Sequence, residues 1–119
     1  MSNSSPIKSG RPSLLEVKAS LNSLALELLR GRFPSVDVEP YYKVAEAYVD
    51  EAMRRSKGYR RNMGGNSPLK TLILLSMDTV ASAYVLVSGK SDEEKVDRLL
   101  KDFETMVGDY LESVGLLTY

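Results

Sequence analysis

Arg54, Arg55, Lys57, Arg60 and Arg61 set five positive charges within eight residues, with Tyr59 among them and no carboxylate between. Arginine's planar fork suits bidentate contact with phosphate oxygens, and a tyrosine ring offers a face for stacking an unpaired base. These six residues are therefore the candidate nucleic-acid contact. The competing reading is local, because a helix C-terminus favours cations whatever they bind.

Carboxylates make the second group. Glu46, Asp50 and Glu51 lie within two helical turns, and Glu46 and Asp50 share a face at i, i+4 spacing. A Mg²⁺-dependent nucleotide hydrolase would need a matching acidic pair on a facing helix, and only Asp78 is offered there. No lysine follows Gly64-Gly65 at the spacing of a phosphate-cradling loop. Glu46, Asp50 and Asp78 are thus a third-ranked site, and no metal or cofactor is expected.

Histidine and cysteine are both absent. Their absence excludes a Ser-His-Asp triad, a Cys-His nucleophile, a structural zinc site and any disulfide. Binding and assembly, rather than catalysis, are the expectation. Glutamine is missing too, and a chain poor in thermolabile residues resembles a thermophile's.

The elements that position these groups read as helices. Residues 1–12 are rich in Ser, Pro and Gly and predict a flexible tail, followed by one helical domain over 13–119. Ser13 and Glu16 form a capping box, and Leu14, Val17, Leu21, Leu24 and Leu28 follow at three-four spacing. A β-hairpin turning at Asn22-Ser23 competes for this segment, but the cap and the spacing favour helix. Gly31 is placed to end it. Pro40 suits the first turn of a second helix, whose apolar face is Tyr41, Val44, Ala45, Tyr48, Val49, Ala52 and Met53.

Ser67-Pro68 reads as cap and first residue of a third helix, apolar on most of its circumference as far as Gly89. Ser91 and Glu94 form a second capping box, ahead of a stripe from Val96 through Leu99, Phe103, Met106 and Tyr110 to Gly115. The predicted fold is all-α, an antiparallel four-helix bundle with helices at about 14–30, 40–57, 68–88 and 92–114.

Helix three and the last helix carry more apolar surface than four helices of this length readily bury. Leu72, Leu75, Tyr84, Phe103, Tyr110, Leu116 and Leu117 are the predicted interface, toward a second copy or a protein partner. Asp78, on a face with Thr71 and Ser82, predicts a narrow solvent-facing stripe or a buried pair with an arginine of helix two.

The net charge is zero, but residues 1–89 carry an excess of four positive charges and residues 90–119 an excess of four negative ones. Such a chain favours head-to-tail association or one basic face meeting a polyanion. The first twelve residues hold no apolar core segment of a leader. Asp78 would cost about 3 kcal/mol at the centre of a membrane span. A buried core helix in a cytoplasmic protein, without membrane contact, is the expectation.

Two stretches, YYKVAEAYVDEAMRR (41–55) and SPLKTLILLSMDTVASAYVLV (67–87), resemble the helical part of the ZapA family, which bundles bacterial division filaments. The likeness rests on Val49-Asp50 with Met53, followed by an apolar helix. That family starts with a β-hairpin and ends in a long coiled coil, whereas this chain starts with a helix pattern and carries Gly108 in a short last helix. In architecture alone the chain is similar to small helical subunits of RNA-guided CRISPR effector complexes. That likeness implies a nucleoprotein subunit using the 54–61 segment.

Overall fold

Ser13 starts the first helix as its spacing from Glu16 predicts. Its hydroxyl accepts from the Glu16 backbone N–H at 3.2 Å, and the Glu16 carboxylate accepts from the Ser13 N–H at 2.8 Å. The computed structural model describes residues 11–55 and 68–116. Among them are four helices, α1 (Leu14–Arg32), α2 (Glu39–Arg55), α3 (Pro68–Ser88) and α4 (Glu93–Ser113), and no strand. The hairpin alternative for the first segment is not formed. The predicted tail, apart from Arg11 and Pro12, lies outside the described residues, as do Ser67 and the predicted end of helix two.

Two boundaries differ from expectation. α1 runs through Gly31 and ends at Phe33, whose N–H donates to the Leu29 carbonyl at 2.9 Å. Glycine permits a left-handed cap but does not compel one, and here the terminating residue is the aromatic that packs against α3. α4 is capped by Asp92, not Ser91: the Asp92 carboxylate accepts from the Lys95 N–H at 3.3 Å. Two cap-competent residues stand side by side, and the carboxylate wins the place at the positive helix end. Gly89 (φ 72°) and Gly115 (φ 75°) do adopt the left-handed conformation that ends α3 and α4.

α3 is the hub. It packs against α1, α2 and α4, and α1 also packs against α4. The core gathers Val17, Leu21 and Leu29 of α1, Val80 of α3, and Leu99 and Phe103 of α4, all fully buried. α2 contributes Tyr42, Ala45 and Val49. It runs antiparallel to α1 and is tied to it by polar side chains: Tyr42 to Asn22 at 2.8 Å, Lys18 to Glu46 at 3.7 Å and Arg30 to Glu39 at 3.8 Å. Arg32 joins α1 to α4 through Asp102.

α3 is central without being enclosed. Ser76, Thr79, Val80 and Ala83 are its buried residues, and the Thr79 hydroxyl donates to the Leu75 carbonyl at 2.8 Å. Among the described helices, α3 is long and apolar enough to cross a membrane by length and composition, with a mean hydropathy of 1.6, yet only 22% of that window is buried within the chain. The buried core helix read from its composition is therefore buried along one side only. α1, α2 and α4 cover the side that carries these buried residues, and the side that carries Leu74, Asp78 and Leu86 is left open.

Candidate functional site: an apolar trough between α2 and α4

The open side of α3 is the floor of a trough. α2 forms one wall and the start of α4 the other, and these two helices make little contact with each other. The larger hollow, about 680 Å³, lies over Ala81, Ser82 and Val85 and is walled by Val44, Tyr48 and Val96. A second, of about 410 Å³, continues it toward Met53 and Leu75, sharing Tyr48, Ala81 and Ser82 with the first. The floor from Leu75 to Leu86 spans about 16 Å at the rise of an α-helix.

The trough exists because α2 has two apolar stripes, of which its packing on α3 and its ties to α1 bury only one. Tyr42, Ala45 and Val49 turn inward and are buried. Tyr41, Val44 and Tyr48 recur at three-four spacing one position away and face solvent, Val44 at 60% exposure and Tyr48 at 69%. The apolar face read from the sequence is thus divided: its Ala45 and Val49 are core, its Val44 and Tyr48 are surface, and Tyr42, which was not assigned to it, is core. On α3, Leu74 and Leu86 are exposed in the same way.

The charged groups lining the trough are all acidic. Glu93 and Asp97 stand on the α4 wall, and Asp78 borders the lower hollow beside Ser82. No lysine or arginine lines either hollow among the described residues. Desolvation by the surrounding apolar surface raises the Asp78 carboxyl above its ordinary pKa. Asp78 is exposed, as a solvent-facing stripe predicts, while Thr71 and Ser82 beside it are half-buried. The buried ion pair to an arginine of α2 is not formed, because Arg54 and Arg55 both bond Glu51.

That Glu51 contact also alters the basic segment. Arg54 and Arg55 are exposed at the end of α2 and share Glu51 as partner, Arg55 at 3.0 Å, and their hydrogen bonds hold the Glu51 carboxyl below its ordinary pKa. Two of the charges counted as unopposed therefore have a carboxylate one turn back, at i, i+3 and i, i+4 spacing that the sequence displays. Lys57, Tyr59, Arg60 and Arg61 lie outside the described residues. Glu46 is engaged by Lys18, and Glu46, Asp50 and Asp78 do not form a group able to hold a metal ion; no such group exists among the described residues.

The residues predicted as an interface are dispersed. Phe103 is fully buried in this chain's own core, which leaves it no surface to present to a partner. Tyr84 packs on Phe33, their rings tilted by 48° at 5.2 Å. Leu72, Tyr110 and Leu116 are half-buried against the core, and Leu117 lies outside the described residues. Only Leu75 borders the trough. Val44 and Tyr48 belong to the predicted apolar face of helix two and Val96 to the predicted stripe of the last helix, yet none of them, nor Val85, is in the predicted interface, since periodicity marks an apolar face without saying which neighbour covers it.

No protein-family model, curated protein or solved structure matches the chain. The resemblance to ZapA helices and the likeness to CRISPR effector subunits gain no support from these comparisons.

Proposed function

We propose that this chain is a non-enzymatic helical assembly module that docks to a protein partner, or to itself, through the open face between α2 and α4. The observation that carries this reading is the second apolar stripe of α2, where Val44 and Tyr48 project beside a trough floored by α3. Burying one such side chain stabilises a contact by about 1.5–3 kcal/mol. A central apolar patch with polar edges is the anatomy of a protein interface. The reading needs no cofactor and places the chain in the cytoplasm as a subunit of something larger.

The test is the mass of the native particle. In extract of its source, the chain should run as a particle larger than a single copy, and Tyr48→Glu should return it to the mass of one chain with unchanged helix content. Tyr48 is exposed, so its replacement leaves the core untouched. A wild-type chain that stays single in extract and at high concentration when purified would sink the reading.

A further inference from the structure

The trough has the form of a bundle lacking one helix. Its two walls and its floor are helices, and about 16 Å of floor matches three turns of another. A helix laid there would pack on α2, α3 and α4 together, much as α3 packs on its own neighbours.

The occupant is selected by charge. Glu93 has a local reason for its place, since a helix start favours carboxylates. Asp97, past the first turn of α4, and Asp78, in the middle of α3, are not placed by that preference. None of the three forms an ion pair among the described residues, which is equally true of Glu27, Asp50, Glu104 and Asp109; what sets the three apart is that they line the trough, where no described lysine or arginine does. Asp78, though exposed, is partly desolvated by its apolar surroundings, so a cation brought to it is screened less than at a fully hydrated carboxylate. An acidic occupant would set like charges against both the α4 wall and Asp78.

We infer that the trough binds an amphipathic helix of a partner protein, its apolar stripe seated on Val44, Tyr48, Val85 and Val96 and its flanks carrying Lys or Arg toward Asp78, Glu93 and Asp97. This rests on the docking function proposed above and names the chemistry of the partner. A second copy of the chain is the competing occupant. The cations at the end of its exposed α2 stripe, Arg54 and Arg55, are already engaged by Glu51, so that stripe brings a neutralised flank and not a free cationic one.

The probes are two peptides of about 14 residues with the same Leu/Ile stripe, one flanked by lysines and the other by glutamates. Binding to the full chain is followed by fluorescence anisotropy and by the methyl NMR signals of Val44, Val85 and Val96. The lysine-flanked peptide should bind at least about tenfold more tightly at low salt, with the gap closing as salt rises. The double variant E93K/D97K, changed only at exposed positions of α4, should narrow or reverse that preference while retaining its helix content. Equal binding of the two peptides, or a preference that the double variant leaves unmoved, overturns the inference. If neither peptide binds and the purified chain is a dimer that Tyr48→Glu splits, the inference falls and the docking function stands. If neither peptide binds and the chain is always single, both fall.

Discussion

The phenol of Tyr42 donates a hydrogen bond to the Asn22 side-chain oxygen at 2.8 Å, closing the gap between α2 and α1 where the two helices meet through long side chains. Tyr42 is buried, and desolvation, with a smaller contribution from the Glu46 charge, raises its pKa well above the ordinary tyrosine value. Tyr42→Phe keeps the ring and removes the donor, leaving Asn22 without its partner. We expect a loss of about 1 kcal/mol in urea unfolding. The sign of the pH effect follows from the raised pKa. The unfolded chain releases this proton near pH 10 and the folded chain holds it, so the stability is intact below about pH 10 and falls above it. In Tyr42→Phe the alkaline loss should be shallower than in the parent.

Asp78 gives the corresponding test on the acid side. Its carboxyl is raised by desolvation, so the folded chain holds this proton more tightly than the unfolded chain does. The charged form therefore weighs against folding at neutral pH. That handicap disappears as pH falls below the ordinary aspartate value of about 3.9. Asp78→Asn should raise the melting temperature at pH 7 and leave it unchanged near pH 3. A lower melting temperature at pH 7 would mean that the carboxylate has a stabilising partner in the free chain.

Four glycines sort by backbone. Gly31 and Gly108 lie inside helices with open space where a Cβ would go. Alanine at either should stabilise the chain by about 0.4–1 kcal/mol. Gly89 and Gly115 are left-handed with φ near +70°, and alanine there should cost about 1–2 kcal/mol. Chemical denaturation of the four single variants checks both signs.

Core and docking face should respond oppositely to substitution. Phe103→Ala removes a fully buried ring and should cost about 3–5 kcal/mol in stability. Tyr48→Glu, on the exposed stripe of α2, should change stability by less than about 0.5 kcal/mol and abolish particle formation. A stability loss for Tyr48→Glu comparable to that of Phe103→Ala would place Tyr48 in the core instead.

Most of the fold was legible because its signals are local. Ser13 with Glu16, Pro40, Pro68, Gly89 and Gly115 mark helix ends through capping chemistry that needs no knowledge of neighbours. Where two local solutions compete, as at Ser91 and Asp92, or where a glycine is merely permissive, as at Gly31, the local signal misplaces the end by a residue or two. The trough was not legible. It depends on α2 and α4 both choosing α3 over each other, a tertiary outcome that three-four spacing does not encode. The same limit divided the α2 face: Val44 and Ala45 are adjacent apolar residues, and only packing on α3 decides that Ala45 is core and Val44 is surface.

The uneven anchoring of α2 has a consequence for motion. It buries only Tyr42, Ala45 and Val49, whereas α1 buries five residues including Leu21 and Leu29. Its remaining ties to α1 are Tyr42–Asn22 and two long ion pairs. Helices open locally in order of the apolar area that holds them, so amide exchange should be slowest in α1 and α4, which bury Leu21, Leu29, Leu99 and Phe103, and faster in α2 and α3. One wall of the trough is then among the less firmly held helices: a guest pressed against Val44 and Tyr48 would steady α2 as well as cover it, and partner binding would appear as slowed exchange along α2, including amides that never touch the guest.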